Sequence, residues 1–257
     1  MPDIFGLLNY YVQTFISLFS NIHLSIITII ITAIIFIILH NLRHLPIVRN
    51  ISVYVSFFPV LIHELGHAFA AQIFNGQVDD IHMVLSPKKQ QETGKQGYAI
   101  TKARSRFTFI IIAFMGYVSA PLMFFLGCYL ITHNLSFIFV ALCLLFVLFY
   151  LVKTKQKWIP IILLSIVIYS GYSVIMNSNN DPNLIIDSVY NILLGLLLGE
   201  TIQSIVITTK VTFSHTKSEW DGSAMHNLTH IPAIFWWFIW TIISIFCVYN
   251  SYELFFN

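Results

Sequence analysis

The run Phe57-Phe58-Pro59-Val60-Leu61-Ile62-His63-Glu64-Leu65-Gly66-His67-Ala68-Phe69-Ala70-Ala71 sets an H-E-x-x-H pattern, His63 to His67, inside an almost wholly apolar segment. On a helix the two histidines fall at i and i+4. Both rings then leave one face about one turn apart. That spacing lets two imidazole nitrogens reach one zinc ion at ~2.0–2.1 Å. Glu64 lies beside them, where a carboxylate can take a proton from activated water. The bland alternative is a pair of satisfied core histidines. Against it, ionisable side chains in a membrane helix cost ~2.5–3.5 kcal/mol each at its centre unless they have partners or a function. A water-soluble zinc hydrolase would not normally embed this helix in so long an apolar run. The segment therefore points to metal-assisted peptide hydrolysis at or within a membrane.

Working outward, the whole chain fits that setting. It is 57% hydrophobic and 9% charged, with a mean hydropathy of +0.80. Soluble domains carry about 25% charged residues. The composition implies an integral membrane protein, and a net charge of +2 gives no reason to expect a nucleic-acid partner. Cys128, Cys143 and Cys247 lie in apolar segments without C-x-x-C spacing, so they read as small core residues. No small-residue cleavage site follows the first apolar stretch, so residues 1–50 are expected to remain as an N-terminal anchor region. No repeat or low-complexity linker divides the rest, and residues 1–257 are expected to form one membrane-embedded domain with its core at 51–250.

A span needs about 20 apolar residues. Segments 24–40, 52–74, 107–131, 135–152, 158–176, 184–208 and 231–250 meet that need. The expected fold is thus an all-α polytopic membrane protein of about seven transmembrane helices. Residues 4–20 are apolar but broken by Asn9, Gln13 and Ser17, and favour an interfacial helix. Lysine and arginine mark cytoplasmic loops. Lys88, Lys89, Lys95, Lys102, Arg104 and Arg106 fall in one loop, and Lys153, Lys155 and Lys157 in another. Both then lie inside, with the loop at 209–230 carrying Lys210 and Lys217. Arg43 and Arg49 conflict with this assignment, because they would lie outside. Either the rule fails there or the histidine helix does not cross fully, and Pro59 could break it just before the motif.

The loop at 77–106 is the longest polar segment. Ile81, Met83 and Leu85 alternate with more polar positions, and Gly97-Tyr98-Ala99-Ile100-Thr101 also reads as extended. A short hairpin on the cytoplasmic side is expected, with an ordinary solvated loop as the alternative. A catalytic zinc wants three protein ligands and an open position. Glu219 and Asp221 stand at the inner edge of the last span, on the side where the histidine helix ends, so topology favours one of these two as the third ligand. Glu200, with Gln203 and Ser204 nearby on the sixth span, is a second intramembrane carboxylate. The bland reading makes it a protonated side chain bonded to a neighbouring helix. Asn191, Gly195 and Gly199 form a small-residue stripe suited to close helix packing.

His63-Glu64-Leu65-Gly66-His67-Ala68, Gly76, Gly116-Tyr117, Asp221-Gly222-Ser223-Ala224-Met225 and Leu228-Thr229-His230-Ile231-Pro232 together resemble the site-2 protease type of intramembrane zinc metallopeptidase, in its small single-domain bacterial branch. The resemblance covers roughly residues 50 to 250. Trp220 departs from it, since larger members carry the acidic ligand in a Leu-Asp-Gly motif. The resemblance implies that His63, His67 and Asp221 hold one Zn²⁺ and that Glu64 is the catalytic base. It also implies a bacterial cell-membrane protein whose active site faces the cytoplasm and whose substrates are single-span or membrane-associated proteins. A transmembrane substrate must unwind locally before cleavage, and the extended segment Gly97, Tyr98, Ala99, Ile100 and Thr101 could hold it by edge pairing. A non-proteolytic metal-binding protein or transporter is the alternative. It does not need Glu64, and it would want a polar route that only Glu200 and Asn191 offer.

Overall fold

The structure is a computed structural model that describes residues 4–176, 182–214 and 219–256. In chain order the elements are α1 (Ile4–Ser20), α2 (Ile26–Asn41), α3 (Pro46–Val55), α4 (Phe57–Ile73), β1 (Gln77–Met83), α5 (Pro87–Thr93) and β2 (Gly97–Lys102). They continue with α6 (Arg106–Thr132), α7 (Ser136–Lys153), α8 (Trp158–Met176), α9 (Pro182–Thr212), α10 (Asp221–Thr229) and α11 (Ala233–Phe256). Among the described residues α6, α7, α9 and α11 are long and apolar enough to cross a membrane. The α3–α4 pair adds a fifth if counted as one broken span, bent by 50°. This differs from the seven spans expected. Helix α2 has 16 residues, about 24 Å of helix against a ~30 Å hydrocarbon core.

The break in the histidine span lies at Ser56, not at Pro59. Pro59 occupies the first turn of α4, where its missing N–H forfeits no helical bond. The motif therefore sits on an unbroken helix. Helix α6 is the hub, packing on α4, α9, α10 and α11. Gly66 sets the α4–α6 approach: a Cβ there would sit 2.8 Å from both the Met115 carbonyl and the Ser119 hydroxyl. The stripe on α9 is spent on α2, since a Cβ on Gly195 would lie 2.7 Å from the Ile29 carbonyl. Asn191 accepts from the Ser25 N–H and donates to the His23 carbonyl, both at 2.8 Å. The three cysteines are free thiols, with Cys128 and Cys247 buried.

The expected hairpin is present, and it leans along α4. Strand β1 pairs antiparallel with β2, from Gln77 opposite Lys102 to Met83 opposite Gly97, with an irregularity between Val78 and Asp80. Leu85 falls beyond the strand. The Lys- and Gln-rich connection contains α5, started by Ser86 and Pro87 and stopped by Gly94 at φ 70°. Several basic segments meet at this hairpin. The Lys155 N–H donates to Asp80 at 2.8 Å, and Lys102 pairs with Asp79 at 2.5 Å. Arg43 donates to Ser52 (2.5 Å), Ser56 (3.3 Å) and Gln96 (2.9 Å), while Arg49 donates to Gln91 (2.8 Å). Arg43 and Arg49 are thus tied to the basic loop, and the sequence conflict over their side dissolves. Lys217 lies outside the described residues.

Candidate active site

Helix α4 presents His63 and His67 from one face, as i and i+4 positions must. Their Nε2 atoms are 3.2 Å apart. Asp221, from the first turn of α10 more than a hundred residues later, brings Oδ2 to 3.4 Å from each of those nitrogens. A tetrahedral cation with bonds of ~2.0–2.1 Å has donor–donor edges of ~3.3–3.4 Å. The triangle therefore fits one small divalent ion, and these three residues form a candidate metal site.

Their surroundings suit ligation. His67 Nδ1 lies 2.6 Å from the Ile112 carbonyl. A carbonyl accepts only from N–H, so in the neutral ring the proton stays on Nδ1 and the Nε2 lone pair faces the triangle. Gly116 lets the rings in. A Cβ there would meet His67 Nε2 at 2.5 Å and His63 Cε1 at 2.8 Å. The Tyr117 ring stands edge-on to His63, 5.0 Å between centroids. For Asp221, burial alone would raise the pKa. His67 and His63 outweigh it and hold the carboxyl well below the usual carboxylate range.

Helix α10 was not foreseen in the sequence. Trp220 caps it and packs near Tyr117 and Trp240, with ring centroids 6.1 and 6.0 Å away. These rings join Ala113, Val118 and Met225 in a separate apolar cluster. Trp220 thus keeps the position apolar where related motifs have leucine. Arg106 adds a bond from the start of α6 to the Leu228 carbonyl. Glu219 lines the same cavity but is not part of the three-donor cluster.

The donors open on a cavity of about 670 Å³ walled by α4, α6, α9, the α10 segment and β2. Glu64 is buried on its wall. Strand β2 passes beside it: a Cβ on Gly97 would lie 3.1 Å from Glu64 Cγ, and the Ala99 backbone lies near the Glu64 carboxylate. The Gln96 carbonyl accepts from Val84 on the β1 side. By the alternation of antiparallel strands, Gly97, Ala99 and Thr101 then turn their N–H and C=O groups to the other edge. No third strand pairs with that edge among the described residues. Gly97, Tyr98, Ala99 and Thr101 line the cavity; Ile100 does not. Glu200 and Ser204 line the α9 wall, the Ser204 hydroxyl donating to Glu200 at 2.8 Å. The expected bond from Glu200 to a neighbouring helix is not seen among the described residues. Sequence reasoning could not have found the Ile112 carbonyl, because a backbone atom leaves no residue signature.

Two histidines one turn apart, a carboxylate completing a metal-sized triangle and a second carboxylate beside it form a candidate metal site in a protein with several membrane-spanning helices. The family model described as Peptidase M50B-like matches residues 26–251, and the chain belongs to that peptidase family. No curated protein matches the chain. No solved structure matches it either.

Proposed function

We propose that the protein is an intramembrane zinc endopeptidase that cleaves single-span or membrane-associated proteins in or near the bilayer. The observation that carries this reading is the donor triangle of His63, His67 and Asp221, of zinc-sized edges, with Glu64 beside it and a free strand edge alongside. When bound, the zinc supplies Lewis acidity to the scissile carbonyl and lowers the pKa of water. Glu64 takes the proton from the attacking water and returns it to the leaving amide nitrogen. The Ile112 carbonyl holds the His67 ring in its ligating tautomer. A substrate segment unwound from its helix satisfies its exposed backbone groups on Gly97, Ala99 and Thr101.

The domain is a single unit over residues 1–257, with 1–50 as an anchor region, in a bacterial cell membrane. The basic segments gathered at the hairpin support a cytoplasmic active site. A lone cysteine at Gln90 should resist an impermeant reagent in intact cells, and rapid labelling from outside would contradict this orientation. The transporter alternative loses Asn191, which is consumed by Ser25 and His23. Quantitative membrane proteomics of cells carrying the wild type or Glu64→Gln tests the reading. Uncut single-span proteins should accumulate with the variant, and identical proteomes would count against proteolysis.

A further inference from the structure

Glu200 is a carboxylate that the chemistry above does not use. It is half-buried on the α9 wall of the cavity, within a helix of membrane-spanning character. Among the described residues its one hydrogen bond comes from Ser204, on the next turn of its own helix. A structural glutamate in a membrane bundle would be expected to bond a neighbouring helix, and this one does not. It makes no ion pair among the described residues. His63 and Arg43 are the groups whose fields reach it, but the imidazole belongs to the donor triangle and the guanidinium is already shared among Ser52, Ser56 and Gln96.

The rest of the cavity sharpens the point. Of the other carboxylates that line it, Asp221 faces the two histidines, Glu64 lies against β2 and Glu219 is exposed. Among the described lining residues Lys95 is the sole lysine or arginine, and it is exposed. Strand β2 packs on α4, and α9 packs on α6 and α2, so the cavity separates the strand edge from Glu200. A peptide segment paired to that edge would enter the cavity that Glu64 and Glu200 both line. A carboxylate left without a cationic partner in such a site is costly, and an incoming cation relieves that cost.

We propose that Glu200 is a specificity-determining residue: it receives a lysine or arginine side chain of the substrate close to the scissile bond. This rests on the peptidase reading above. The full-length, zinc-loaded protein in lipid nanodiscs is given a synthetic peptide library randomised around an apolar centre, and cleavage sites are read by mass spectrometry. Wild type, Glu200→Gln, Glu200→Lys and Glu64→Gln are compared, each with its zinc content. The wild type should favour Lys or Arg over Asp or Glu at one position near the cut. Glu200→Gln, which keeps the side-chain shape, should weaken that preference about tenfold or more, and Glu200→Lys should turn it toward Asp or Glu. Zinc content should not change in either variant. Cleavage with the same preference in wild type and Glu200→Gln overturns the proposal, as does a wild type with no basic preference at any position. If Glu200→Lys does not fold, Glu200→Gln alone decides. A wild type no more active than Glu64→Gln overturns the peptidase reading itself, and the selectivity proposal with it.

Discussion

Helices α4 and α10 meet at one triangle of donor atoms but hold it differently. Helix α4 is buried along most of its length, clamped by α6 through Gly66 and Gly116 and flanked by the hairpin. Its two histidines are positioned by helical geometry alone, because i and i+4 side chains meet on any α-helix. Helix α10 spans nine residues, with Gly222 and Met225 buried. Its carboxylate is placed by tertiary contacts: the Trp220–Tyr117–Trp240 cluster and the bond from Arg106 to Leu228. Two donors are therefore local and rigid, and the third is long-range and delivered by packing. Damage to α4 should abolish the site, whereas damage to α10 should loosen it.

The largest effect is expected on α4. His63→Ala or His67→Ala should strip most of the zinc from purified protein and reduce peptide cleavage to background. Undiminished zinc by elemental analysis in both variants would sink the assignment. Asp221→Ala should weaken zinc affinity by more than the ~10–100-fold that loss of an outer-shell contact costs, as read by competition with a chelator. Glu219→Ala is its control and should leave affinity within about twofold of wild type, since the Glu219 side chain is outside the donor cluster. The reverse pattern would move the third ligand to Glu219. A smaller effect is expected at the clamp. Gly116→Ala puts a methyl against both imidazoles, and should cost about 10–100-fold in zinc affinity, as displaced outer-shell support does. Unchanged affinity would mean that α6 does not position the rings.

The same contrast governs what could be read in advance. The pair His63 and His67, and Glu64 between them, follow from spacing on one helix. The hairpin follows from the alternation around Ile81 and Met83 and the extended run from Gly97, although α5 between Pro87 and Thr93 was hidden by its polar composition. Asp221 was reachable from topology only as one of two carboxylates, because the choice depends on where a nine-residue helix begins. The break at Ser56 escaped detection because Pro59 is the stronger breaker signal, yet proline fits a first turn without cost. Of the seven apolar runs, four, or five with the bent pair, are long and apolar enough to cross a membrane among the described residues, so a count of seven is not confirmed. Apolarity shows that residues avoid water, and α2 shows that such a helix can be too short to cross a bilayer.

The account stands on a metal that is bound independently of the base. Purified wild type and Glu64→Gln should each hold one zinc per chain by elemental analysis, while cleavage of a membrane-peptide substrate is present in the wild type and absent in the variant. Zinc lost together with activity would make Glu64 part of the metal cage, and cleavage persisting in the variant would contradict the mechanism outright.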